Sequence, residues 1–75
     1  MPRPIHTIAR EVTDNWSNVY FGAVPYLQAM HTLDDVDEMY GADTAESIIV
    51  YFLANAHTWR GEVARRIKKE LKELI

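Results

Sequence analysis

Apolar residues recur at helical spacing in several stretches of this chain, and polar or helix-breaking residues separate those stretches. Ile5, Ile8, Ala9, Val12 and Trp16 fall at i, i+3, i+4, i+7 and i+11. That is the stripe of a helix packed on a core, so a first helix is expected over about 5–16. Pro2 and Pro4 hold the residues before it extended, and Pro4 suits a first turn, where its missing N–H is not needed. Asp14, Asn15, Ser17 and Asn18 favour caps and turns and should end the helix. Val24 precedes Pro25, which disfavours the α region at Val24. A second helix is therefore expected over about 25–31, with Tyr26, Leu27 and Met30 facing inward. The alternative is one helix over about 5–32 kinked at Pro25, which keeps the apolar period nearly in register through Val19, Tyr20, Ala23 and Leu27.

Thr32 with Asp35 three residues on marks a helix start, and Gly41 a stop, giving a short third helix over about 33–40. Asp43 with Glu46 forms an Asp variant of the capping box and opens a fourth over about 43–56. In it Ala45, Ile48, Ile49, Phe52, Leu53 and Ala56 line one face. Val50, Tyr51 and Ala54 fill the other, so this helix should be central or sit at a subunit contact. After His57, Thr58 can cap a last helix over about 59–74, whose seam is Trp59, Val63, Ile67, Leu71 and Leu74. Its other faces offer the pairs Glu62–Arg66, Arg66–Glu70 and Lys69–Glu73, all at i, i+4. No stretch alternates with the period of a strand, and no repeat is present. The expected fold is all-α: one domain, residues 1–75, built as a compact bundle of four to five helices around a central buried helix.

Size changes this picture, because 75 residues is close to the length at which an unaided core becomes marginal. Self-association, a homodimer in the simplest case, is an expectation. With no cysteine, disulfides, thiolate metal sites and cysteine nucleophiles are excluded, and a reducing compartment suits the chain. The first residues lack the apolar run of a signal peptide, and no run approaches the ~20 apolar residues that span a bilayer. A soluble, cytoplasmic protein without membrane partners is expected. The net charge of −3 offers no general attraction to nucleic acid, but charge is unevenly placed. Residues 34–46 hold six acids (Asp34, Asp35, Asp37, Glu38, Asp43, Glu46) and no base, whereas 60–72 hold six bases (Arg60, Arg65, Arg66, Lys68, Lys69, Lys72) and two acids.

Chemistry is densest from Tyr51 to Glu62, YFLANAHTWRGE. Tyr51, Asn55, Trp59, Arg60 and Glu62 are the candidate partner-binding residues, since Trp, Tyr and Arg are the types enriched in binding hot spots. The competing account is a packed helix corner with Trp59 in the core and Asn55 satisfying helix-end groups. Gly61, inside the expected last helix, suggests that a backbone or an aromatic ring approaches closely. The basic residues Arg60, Arg65, Arg66, Lys68, Lys69 and Lys72 are the candidate nucleic-acid surface, because the last two helices could form a helix-turn-helix. The i, i+4 glutamates and the missing turn glycine weigh against it. The acids of 34–38 lack calcium-loop spacing. His6, His31 and His57 form no local metal motif. Ser17 and Ser47 have no nucleophile-elbow context, and the three glycines form no phosphate loop. No enzyme activity, cofactor or metal is expected.

Trp16, Pro25-Tyr26-Leu27 with Ala29-Met30, Tyr40-Gly41, Tyr51-Phe52-Leu53-Ala54-Asn55-Ala56, Thr58-Trp59-Arg60-Gly61-Glu62 and Ala64-Arg65, in that succession, resemble small helical proteins encoded by bacteriophages. The likeness runs from about Ile8 onward. It implies action in a bacterial cytoplasm and carries no activity across. From the residues themselves the expectation is a non-catalytic interaction module that binds a protein partner, itself, or both. The alternative is a helical nucleic-acid binder using its basic C-terminal helix.

Overall fold

The computed structural model describes residues 2–75. Among the described residues the fold is mostly helical, with 55% of the chain in four helices and one two-stranded hairpin. The elements are α1 (Ile5–Asn15), α2 (Val24–Met30), β1 (Met39–Tyr40), β2 (Asp43–Thr44), α3 (Ala45–Ala54) and α4 (Glu62–Leu74). The first helix keeps its expected stripe: Ile5, Ile8, Ala9 and Val12 are buried, and the Trp16 amide closes its last turn on the Val12 carbonyl at 2.8 Å. Non-helical backbone between α1 and α2 rules out one kinked helix. Pro25 lies in the first turn of α2 and Val24 opens it, so the restriction on the residue before proline is overridden here.

Residues 33–40 form no third helix. The Leu33 and Asp34 carbonyls instead accept the His6 and Ile5 amides, at 2.8 and 3.0 Å, and so supply α1 with partners for its orphan N-terminal donors. The acids that suggested a helix start make turns. The Glu38 carboxylate accepts from the Asp34 amide at 2.9 Å, and Asp35 from the Asp37 amide at 3.2 Å. The chain then enters the hairpin, pairing Met39 with Thr44 and Tyr40 with Asp43. Gly41 is left-handed, as its identity suggested, but at a hairpin turn rather than a helix end (φ 62°). The cap of α3 is Thr44 rather than Asp43: its Oγ1 accepts the Ser47 amide at 3.0 Å.

The last helix starts three residues later than its apolar seam suggests. Gly61 has φ 112° and ψ −178°, a region open in practice to glycine alone, where a side chain costs about 1–3 kcal/mol. Helical backbone cannot run back through it to Thr58. A Cβ on Gly61 would meet nothing within 4 Å, so the glycine is there for its conformation and not for clearance. Trp59 therefore lies in the 55–61 connection, yet remains in the core at 5% exposure. The glycine that provides clearance is Gly22, whose Cβ would stand 2.6 Å from the Tyr20 ring and 2.8 Å from Asn55 Oδ1.

α3 packs along α2 and touches α4, while α1 packs against both α2 and α4. Ala45, Ile48, Ile49 and Phe52 are buried, but Val50, Tyr51 and Ala54 are not. The helix expected to be covered on nearly every side is open along one of them. Among the described residues no helix is long and apolar enough to cross a membrane.

Candidate interaction surface

The aromatic residues divide into an inner and an outer set. Inside, Trp59 stacks on Trp16 with ring centroids 5.4 Å apart and planes within 10°, and Phe52 meets Trp16 edge-on at 6.2 Å. Lys68 Nζ donates to the Trp59 carbonyl at 2.6 Å and fastens the connection to α4. Outside, Tyr51 of α3 stacks on Tyr26 of α2 at 5.5 Å. One turn on, Asn55 Nδ2 donates to the Tyr51 carbonyl at 2.8 Å, and the same side chain borders Gly22 and the Tyr20 ring. Tyr20 contacts Phe21 at 4.8 Å and His57 at 5.5 Å. These contacts link Tyr26, Tyr51, Asn55, Tyr20, His57 and Phe21 into an outer ridge, and Val50 is exposed beside Tyr51 in the chain.

Of the five candidate partner-binding residues, Tyr51 lies on this ridge half exposed and Asn55 lies on it partly buried. Trp59 is beneath it in the core, and Arg60 and Glu62 are exposed on the following connection and first turn of α4. Sequence reasoning missed Phe21, 80% exposed, together with Tyr20, Tyr26 and His57. A signal was present: Tyr20-Phe21-Gly22 sets two aromatics side by side in a segment without helical period, where neighbouring side chains diverge and one of a pair is left outside.

The six basic residues also divide. Arg66 bonds the Glu11 carboxylate of α1. Arg3 completes the group, with Nη2 2.8 Å from Glu11 Oε1 and both Nε and Nη2 donating to Glu70, at 2.9 and 2.6 Å. This bidentate, partly buried geometry is the kind that contributes to stability. None of the three expected i, i+4 pairs of α4 is formed as an ion pair among the described residues; the two that involve Arg66 give way to its bond with Glu11. Arg60, Arg65, Lys68, Lys69 and Lys72 have no carboxylate partner among the described residues, and nothing in 34–46 pairs with them. Burial lowers the Lys68 pKa, and the neighbouring Lys72 and Arg60 lower it further. Seven residues separate α3 from α4, longer than the three to four of a helix-turn-helix.

The histidines are dispersed: His6 pairs with Asp34 at 2.7 Å, His31 with Thr13 at 3.0 Å, and His57 with the Tyr20 ring. An open cleft of about 440 Å³ lies between Pro2–Ile5, Asp34–Val36 and the end of α4, and none of the candidate residues lines it. No family model matches the chain, and no curated protein or solved structure is significantly similar to it.

The ion network sets the acid limb of stability. The Arg66 hydrogen bond, with Arg3 assisting, holds the Glu11 carboxyl below the usual carboxylate range, and Arg3 does the same for Glu70. Depressed folded-state values mean that the unfolded chain binds more protons. Their contribution is therefore present above the ordinary glutamate value of about 4.3 and is lost as pH falls through and below it. Thermal melts from neutral pH into that range will show stability falling with acid, less steeply in Glu11→Gln. An equal acid slope in that variant would remove the assignment.

Proposed function

We propose that this protein is a non-catalytic docking module whose outer aromatic ridge, Tyr20, Phe21, Tyr26, Tyr51, Asn55 and His57, binds a protein partner in a bacterial cytoplasm. The observation that carries the reading is Phe21, 80% exposed and backed by Tyr20, with Tyr20 and Asn55 meeting at Gly22 and Asn55 bonded to Tyr51 on the open side of α3. Adjoining exposed apolar side chains on a small domain mark a binding surface more often than a solvated one. Aromatic side chains bury large areas at low entropic cost when a partner covers them. In this reading α3 is the helix around which the bundle is built, and the partner completes the cover that the chain leaves off. Arg60 and Glu62 stand in the charged rim, which sets orientation more than strength. Trp59 supports the surface from within and does not touch the partner.

Immobilised protein exposed to bacterial lysate should retain a partner that is lost from Phe21→Ala and Tyr51→Ala. The exposed control Thr58→Ala should still retain it. Equal retention by all four proteins, or none above blank by the parent chain, would contradict the reading.

The cation-bearing flank of α4 favours a second reading, in which Arg60, Arg65, Lys68, Lys69 and Lys72 track a nucleic-acid backbone. Five phosphate contacts would make duplex affinity fall roughly 500-fold between about 50 and 200 mM salt. A weak salt dependence, or affinity unchanged in Arg65→Glu with Lys69→Glu, would exclude it.

A further inference from the structure

The open face of α3 has a charge order that bears on what covers it. Its N-terminal end carries Asp43 and Glu46, its middle Val50, Tyr51 and Ala54, and the next charged residue beyond its C-terminus is Arg60. All six are exposed, and neither acid nor Arg60 has an ion-pair partner among the described residues. A surface with acid at one end, apolar residues in the middle and base at the other complements a second copy of itself in one orientation. A twofold axis through the middle, with the helices antiparallel, sets the acidic end of each copy against the basic end of the other; a parallel pair sets like against like. Asp43 and Glu46 stand at the start of α3, and Arg60 follows its end in the 55–61 connection, so the opposite charges flank the apolar stretch from its two ends. Antiparallel packing also opposes the two helix dipoles.

We infer that the open face of α3 is the seam of a twofold homodimer. This inference rests on the docking surface proposed above and assigns its α3 portion to a second copy of the chain. Apolar burial at Val50, Tyr51 and Ala54 supplies the attraction, and the end charges fix the direction.

Sedimentation and light scattering on the full chain test it. The measured mass should double between about 10 µM and about 1 mM, the range of a small interface. Val50→Glu, which places like charges across the axis, should stay monomeric with an unchanged circular dichroism spectrum. Glu46→Lys and Arg60→Glu should each weaken association by about tenfold or more, and the two together should restore it, because the swap preserves acid against base. A monomer throughout the concentration range, or a double variant no better than the singles, would overturn the inference. If the chain stays monomeric while Phe21→Ala still abolishes partner retention, the docking surface stands and only the second copy is lost.

Discussion

The stack of Trp59 on Trp16 is the contact on which the rest of this structure depends. Trp16 closes α1 and Trp59 lies in the connection between α3 and α4, so one pair of rings joins segments more than forty residues apart. Phe52 meets the pair from α3 and ties the third helix to the same point. In a chain of 75 residues without cysteine, no covalent staple holds the two irregular connections, and large buried aromatic area takes that role. The Lys68 ammonium on the Trp59 carbonyl and the positive φ of Gly61 then allow the chain to leave the stack and begin α4 at once.

Turning Trp59 inward decides what is left outside. The surface expected at the corner between the last two helices lacks its indole, and outward aromatics stand instead on the α1–α2 connection, on α3 and, at Tyr40, on the hairpin. α4 is likewise split along its length. Arg66 is neutralised by Glu11 of α1 and Glu70 by Arg3 just before α1, whereas Lys68, Lys72 and their neighbours stand without counter-charges among the described residues. The ion network and the aromatic stack fix α1 against α4 from two sides.

What was legible in the sequence was local. Ile5 to Val12 and Ile48 to Phe52 announced their helices and their buried faces because one amphipathic stripe met one core. Two of the failures share a cause, which is that a distant segment took a group the local pattern needed; the other two are local. Residues 33–40 have helix-start chemistry, but the Leu33 and Asp34 carbonyls were taken by the amides of α1. Arg66 has glutamates at helical spacing on both sides, yet Glu11 holds it. Asp43 looked like a cap, but it pairs in the hairpin and Thr44 caps the helix. Trp59 fits the seam of a helix that Gly61 prevents from reaching it, and stays buried by stacking across the chain. At the surface, the exposure of Tyr51 follows from its place on the open side of α3, Asn55 and Trp59 take the helix-end and core places of the packed corner, and the exposure of Phe21 depended on which of two adjacent aromatics the turn left outside.

Tryptophan fluorescence measures the Trp16–Trp59 stack directly, since these are the two indoles of the chain. The native protein should emit well to the blue of free indole, resist quenching by acrylamide, and show the near-ultraviolet dichroism of two coupled rings, with all three features lost on unfolding. Red-shifted emission with an indole freely quenched in the native state would place Trp59 in solvent, and the support beneath the ridge would then have to be rebuilt on other contacts.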